Sequence, residues 1–564
     1  MARLQRVRVE GRSYWRIVES RRVNGKPRAV PILHLGTADA LLNRLLQAPE
    51  GHLTVQSFHH GDVAALKAVA DRLQVVSLID RHVPNKVRSL SVGTTLLLAA
   101  INRVVRPRSK RGWTAWARGT SLPLLFPGLK GETLSSQYFW DQMDCVEMVA
   151  LRAVEDDLTR TVVTELGIEL DTLFYDTTNF FTYIASTTDR STLAQRGHSK
   201  QKRHDLRLFN LALLVCRAGQ IPLCSCVYEG NRVDVTAYPE SLTHIGERLE
   251  ALSLSLKDIT LVYDKGNHSK SNQALVDEAP FGYVASLVPA HHPELLASPV
   301  SHYRPLTGSR LGLIPGLRLT CEIWGKQRTV LLFISEQLRA GQRRGLQQHL
   351  AKRLRELAEW QAQLAKPRSG PRTRASAQKR IEQLLAGQYL KQVLRVDYDP
   401  ERQGAQRLQY RIDEAALRQL ETEVFGKRLL ITDRHEWSDE EIVLAYRGQS
   451  YVEGTFRQLK DTEHLAVRPQ YHWTDQKVHV HTFLCLLGLL LARVIEYQAR
   501  RLGYRQGLSG LLELLGTIRL AMVLQPALTP GKRPRCTWQL EQTDPDAWRL
   551  FCHLVPHKPP FVYT

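Results

Sequence analysis

Cysteine, acidic charge and long apolar runs are all scarce in this chain of 564 residues, and each scarcity excludes something. Eight cysteines scattered over that length are too sparse for a disulfide scaffold and fit a reducing cytoplasm, the expected location. No stretch of about 18 apolar residues occurs, so no membrane-spanning segment is expected. The longest apolar run, Phe483–Ala492, reads as a buried helix. Met-Ala-Arg-Leu-Gln-Arg-Val-Arg at the start has no apolar segment behind its charges, so no secretory signal is expected. Acid falls short of base, with Lys+Arg 77 against Asp+Glu 56 and a net charge of +21. That excess favours a polyanionic partner, either nucleic acid or an acidic membrane surface, without choosing between them. Hydrophobic residues at 43% suffice for several cores, and the length predicts about three or four domains.

The pattern along the chain changes several times. Arg12–Ser20 and Ala29–Leu35 are β-rich runs joined by Val23-Asn24-Gly25-Lys26, a strong hairpin signal. Residues 38–165 are mostly helical by periodicity. Within them the basic run Arg103–Arg111 precedes Trp113 and Trp116. It is either part of a DNA-binding surface or a solvated loop beside core tryptophans. From 168 to 290 the chain reads as strands: Thr172–Tyr175, Phe209–Cys216, Ile221–Tyr228 and Ile259–Tyr263. Between 290 and 430 further strands (Arg318–Ile323, Arg328–Ile334) give way to leucines at helical spacing, the breaker Pro367–Pro371 and another helix. Twelve Lys/Arg against two Glu between Arg339 and Arg380 point toward phosphate, with a solvated helical hairpin as the alternative. Arg196–Arg207, with five Lys/Arg and two His against one Asp, is a second such stretch.

Ser438 followed by Glu441 forms a capping box, so a helix should begin there. At 100° per residue, Tyr446, Gln449, Glu453, Arg457 and Lys460 fall within about 40° either side of one common direction, on one face. Simple surface salt-bridging is the alternative, since Glu453 and Arg457 stand at i,i+4. Asp176 and Asp264 each end an apolar run, which predicts both carboxylates at carboxyl ends of strands, where open sheets bind ligands. Converging carboxylates repel one another, and the usual resolution is a divalent metal, typically Mg²⁺, on oxygen ligands. Two such ions clamp both oxygens of an in-line phosphoryl displacement. Asp is also a common turn or N-cap residue, so either aspartate alone is weak evidence. Cys216, Cys224 and Cys226 lack a partner Cys-x2-Cys and read as core residues rather than a zinc site.

The segment Tyr446-Arg-Gly-Gln-Ser-Tyr-Val-Glu453-Gly-Thr-Phe456-Arg457-Gln-Leu-Lys460 resembles the signature of bacterial insertion-sequence transposases of the D-D-E type. The branch concerned has the spacing Tyr-x2-Arg-x3-Glu-x6-Lys. Tyr446, Glu453 and Lys460 fit it, and Gln449 stands where the signature has Arg, with Arg447 or Arg457 as substitutes. Phe174-Tyr-Asp176-Thr-Thr-Asn179 is similar to the family's first-aspartate motif, and Leu261-Val-Tyr-Asp264-Lys-Gly266 to its second. Gly197-His-Ser199-Lys200, Tyr228-Glu-Gly230-Asn231, the N-terminal hairpin and Arg468-Pro469…His472-Trp473 also resemble the family, over about residues 12–500.

The resemblance implies an α/β fold: a ribonuclease H-like catalytic core with a β-rich plus helical insertion domain, preceded by a mostly helical DNA-binding region. The expected boundaries are a β-hairpin unit (1–50), a helical DNA-binding and dimerisation region (51–165), the first part of the core (166–290), the insertion (291–430), the last part of the core (431–520) and a tail (521–564). It implies Asp176, Asp264 and Glu453 as catalytic ligands of two Mg²⁺ (or Mn²⁺) ions. Tyr446 and Lys460, by the signature, would hold terminal phosphates, and Gln449, Arg457, Lys200 and Arg203 would meet DNA. An insertion-domain aromatic stacks on a flipped base in this branch, and Trp324 is the candidate, though tryptophan is more often core. The implied activity is cleavage at the element's ends and strand transfer, on double-stranded terminal inverted repeats and target DNA, by a homodimer. The alternatives are a ribonuclease H-fold nuclease that does not join DNA, and a transposase-derived DNA-binding protein without activity.

Overall fold

The computed structural model describes residues 2–23, 26–46, 54–84, 90–130, 134–185, 187–252, 255–306, 308, 310–366, 373–525 and 534–556. Strands β1 (Ala2–Val9), β2 (Arg12–Val23) and β3 (Lys26–Thr37) form an antiparallel meander. The expected hairpin is therefore one strand short. β1 is an edge strand whose residues are mostly exposed, with Arg3, Arg6 and Arg8 along it, so it has no apolar face to betray it. Asn24 and Gly25 of the expected turn lie outside the described residues.

After β4 (Thr54–His59) come helices including α1 (Gly61–Arg72), α2 (Val92–Val105) and α3 (Met148–Leu166). Twelve of the fourteen residues of α2 are buried, since it runs through the middle of the core. The basic run that follows divides: Arg103 is buried with Nη1 donating to the Ala466 carbonyl (3.3 Å), and Lys110 Nζ lies 3.2 Å from His472 Nε2. Arg106, Arg108 and Arg111 are exposed.

The central element is a nine-stranded mixed sheet. In chain order it holds β5 (Thr172–Phe181), β6 (Leu208–Cys216), β7 (Pro222–Glu229), β8 (Thr260–Tyr263), β9 (Gly282–Ser286), β10 (Arg304–Pro305), β11 (Pro315–Ile323) and β12 (Lys326–Ile334), and it is completed by a later strand, β15. Helices α4 (Asp234–Ala251) and α5 (Lys270–Glu278) connect its middle strands. Next come α6 (Glu336–Leu364), α7 (Arg374–Leu384), the hairpin β13 (Leu394–Tyr398) with β14 (Leu408–Ile412), and β15 (Lys427–Thr432). The strand order is β10-β11-β12-β15-β9-β8-β5-β6-β7. β5 pairs parallel with β8 and β8 with β9, and the other neighbours are antiparallel. The mostly apolar sequences of β6, β8 and β9, and of β5 up to Tyr175, follow from burial on both faces.

Two boundaries move. β11 and β12, expected inside the insertion, extend the central sheet through β15. The part with its own core is α6, α7, β13 and β14, where Leu346, Leu350, Leu357, Trp360 and Leu364 pack with Ile381 and Phe425. The breaker 367–371 lies outside the described residues. Beyond β15 the chain forms α8 (Asp439–Arg447), α9 (Gln449–Leu459) and α10 (Asp475–Arg501), then β16 (Arg519–Gln525) and β17 (Arg535–Leu540). β16 pairs with both β4 and β17. The expected tail thus closes a sheet with the front of the helical region and ends in the helix Pro545–Leu554. α10 is long and apolar enough to cross a membrane by length and composition, but 94% of its apolar window is buried inside the chain.

Candidate functional site

The parallel pairing of β5 with β8 ends at Tyr175 opposite Tyr263. The next residue on each chain is Asp176 and Asp264. Parallel strands in register point equivalent side chains the same way, so the two carboxylates emerge side by side. One detail departs from the expectation. Asp264 follows the end of β8, but Asp176 lies inside β5, which continues to Phe181 by pairing with β6. The run of apolar residues stops at Asp176 because that side faces a cavity, while the strand itself continues.

The capping box forms as the sequence predicts: Ser438 Oγ accepts from Glu441 N (3.3 Å), and Glu441 Oε2 accepts from Ser438 N (2.7 Å). The single helix expected from Ser438 is instead two, α8 and α9, divided at Gly448. The turn tightens there, with Tyr451 N donating to Gly448 O at 2.8 Å. Glycine is needed for contact: a Cβ at this position would run into the Phe174 ring of β5. The division separates the predicted stripe. Tyr446 and Gln449 turn inward and are buried, while Glu453 and Arg457 are exposed.

Asp176, Asp264 and Glu453 line one cavity of about 1300 Å³, roofed by residues of α6 such as Gly341, Gln342 and Leu346. Burial first, and then Asp264 and Glu453 nearby, push the Asp176 carboxyl up to about 6. The Thr177 amide, which donates to Asp176 Oδ1 at 2.7 Å, and Lys200 oppose that rise. Tyr446 Oη donates to Asp264 Oδ1 (2.9 Å) and accepts from Arg428 Nη1 (3.1 Å). Its hydroxyl is pushed up to about 12 by burial and by Asp264, so it stays a donor at neutral pH. Tyr446 thus holds a carboxylate, where the signature would have it hold phosphate.

The remaining expected residues divide. Lys460 Nζ donates to Thr178 Oγ1 of β5 (2.5 Å) and lies over the Phe180 ring at 5.5 Å. Burial, with Lys200 and Arg468 close by, brings its ammonium down to about 8. Lys200 Nζ donates to the Thr177 carbonyl (2.7 Å). These two cations flank Asp176 along β5. Gln449 Nε2 donates to the Tyr175 carbonyl (3.0 Å), a buried tie between α9 and β5, and the residue lines the cavity. Arg203 pairs with Asp205, at 2.8 and 2.7 Å, in an exposed loop. Arg457 is exposed and does not line the cavity.

Trp324 does not line the cavity. It and Gly325 make the two-residue turn between β11 and β12, both with positive φ (54° and 83°). Its ring packs edge-on to His268 at 4.9 Å and near His292 at 5.9 Å. It sits at the opposite end of β12 from Ile334, which lines the cavity. Arg428 escaped sequence reading altogether, because nothing in Lys427–Thr432 distinguishes a cation aimed at Tyr446 from a surface one.

Among the described residues no three His, Cys, Asp or Glu stand close enough together to form a ready-made metal shell. Asp176, Asp264 and Glu453 nevertheless bring carboxylate oxygens to the cavity, and burial, followed by the other two carboxylates, raises Asp176. Hard oxygen donors in that state fit a hard divalent cation. No family model matches the chain, and no curated protein matches it. Among solved structures it is similar to a chain of a piggyBac transposase synaptic complex with hairpin DNA, seen by cryo-electron microscopy. The identity is 9%, the match covers 80% of this chain and 79% of that one, and the TM-score is 0.38.

Proposed function

We propose that the chain is a D-D-E transposase of the insertion-sequence type, cleaving DNA at element ends and joining them to target DNA. The observation that carries this reading is the convergence of Asp176, Asp264 and Glu453, from three separate elements, on one cavity. A ribonuclease H-like core is supported by the sheet's middle: an antiparallel meander β5-β6-β7, with β8 and then β9 added parallel on the other side of β5.

In this reading Asp176, Asp264 and Glu453 hold two Mg²⁺ ions, with Mn²⁺ as a substitute. The ions supply charge neutralisation and an activated oxygen nucleophile for in-line phosphoryl displacement. Tyr446, itself held by Arg428, orients Asp264. Gln449 and Gly448 seat α9 on β5, which sets where Glu453 projects. Lys460 and Lys200 place positive charge beside Asp176 for the phosphates of the bound strand. The partner is double-stranded DNA, both terminal repeats and target, bound by a homodimer. Purified protein with Mg²⁺ should cut DNA carrying the sequences that flank its own reading frame, and Glu453→Gln should abolish cutting while DNA still binds. A variant that cut as well as the wild type would remove Glu453 from the catalytic set.

A further inference from the structure

Large aromatic side chains are normally buried, and an exposed cluster of them beside arginines calls for a partner. Such a cluster stands where β5 leaves the sheet. Tyr183, Tyr471 and Trp473 are 42%, 66% and 52% exposed. The rings of Tyr183 and Tyr471 stack at 5.2 Å with an interplanar angle of 26°, and Tyr183 N donates to the Gln470 carbonyl (2.9 Å). Cations surround them. The Arg190 guanidinium lies over the Trp473 ring at 5.3 Å, and Arg468 and Arg203 lie over Phe181 at 4.4 and 5.4 Å. Arg468 Nη2 also donates to the Lys460 carbonyl (3.2 Å), joining the cluster to the catalytic face.

We infer that this cluster is a stacking platform for unpaired bases of the DNA strand that enters the carboxylate cavity. The inference rests on the functional reading above and adds a second contact on the same strand. Every nucleobase has a π-face, so exposed rings flanked by guanidinium groups bind single-stranded nucleic acid with little sequence preference. Charge complementarity favours DNA over a second copy of this basic chain as the occupant. β5 sets the spacing. Tyr183 lies seven residues beyond Asp176, which is at most roughly 23 Å of extended chain, or about seven nucleotide steps of a strand.

The test compares the full-length protein on a blunt DNA duplex and on the same duplex bearing a short single-stranded tail, both without added metal. Wild type should prefer the tailed duplex by about tenfold or more. Tyr471→Ala with Trp473→Ala should erase that preference and leave blunt-duplex affinity within about twofold, whereas Tyr471→Phe with Trp473→Phe keeps it. A 2-aminopurine placed at successive tail positions should be quenched most within about seven nucleotides of the cleaved phosphate. Equal affinity for the two duplexes, an equal loss on both in the alanine variant, or conversion of a dimer to a monomer by that variant would each overturn the inference. The cleavage reading fails differently, by an intact Mg²⁺-supplied protein that binds DNA and never cuts it.

Discussion

Tyr446 and Asp264, 182 residues apart, are joined by a hydrogen bond of 2.9 Å from the tyrosine hydroxyl to the carboxylate, and Arg428 holds the hydroxyl from behind. Groups that orient a metal-binding carboxylate typically matter about 10- to 100-fold in affinity or activity when removed. Tyr446→Phe keeps the buried ring and deletes only the hydroxyl. The expected result is unchanged thermal stability within about 2 °C, with DNA cleavage reduced about 10- to 100-fold and recovered in part at high Mg²⁺. Cleavage at wild-type rates across a Mg²⁺ titration would show that Asp264 needs no such support.

That pair also marks the limit of what the sequence discloses. Asp176 and Asp264 are legible because an apolar run ends at each, and Ser438 with Glu441 is legible because capping is local. Long-range facts are not. Asp176 lies mid-strand because Phe180 and Phe181 find partners in Phe209 and Leu208. Gly448 has ordinary helical angles, so only the approach of Phe174 shows why the helix divides there. Trp324 reads as an aromatic in a strand-like stretch, yet it is a turn residue whose neighbours His268 and His292 come from elsewhere in the chain. In each case the deciding contact crosses dozens of residues or more, beyond any periodicity or spacing argument.

Lys460 offers a reading of phosphate contact separate from chemistry. Its ammonium lies beside Thr178 and Phe180, close to Asp176 but bonded to a hydroxyl. Lys460→Met retains the aliphatic stem over Phe180 and removes the charge. If Lys460 neutralises one phosphate, the slope of log affinity against log salt should become shallower by about 1. An unchanged slope would make its role purely one of packing against β5.

His60 gives a pH prediction. The ring is buried, with Nδ1 2.8 Å from Ser121 Oγ, no partner for Nε2 among the described residues, and Phe551 packed at 5.6 Å. Burial lowers its pKa to about 4 from the ordinary 6.5. The unfolded chain therefore takes up a proton near pH 6.5 that the folded chain refuses until about pH 4. Stability from this group is present above the unfolded value and is lost as the pH falls through that window. Between about pH 7 and pH 5 the loss is roughly 2 kcal/mol. Urea unfolding at the two pH values should show His60→Gln losing less stability on acidification than wild type by about that amount. Identical acid sensitivity in both proteins would place the titration on other buried histidines.

Gly448 is where fold and site meet most tightly. It divides α8 from α9, and the absent side chain lets the backbone press on Phe174, two residues before Asp176. Its φ of −63° is open to alanine, so Gly448→Ala carries no backbone strain and gains slightly in helix propensity. The added methyl must instead push α9 away from β5. Overpacking of that kind costs about 1–3 kcal/mol. The shift should also pull Gln449 from the Tyr175 carbonyl and move Glu453 relative to Asp176. Cleavage should then fall by more than the stability loss explains, since a displacement of about 1 Å at a catalytic group can cost about 100-fold. Phe174→Leu should relieve the clash, and the double variant should recover activity relative to Gly448→Ala alone. A single variant as active and as stable as wild type would mean that Phe174 yields freely, and that Gly448 does not set the position of Glu453.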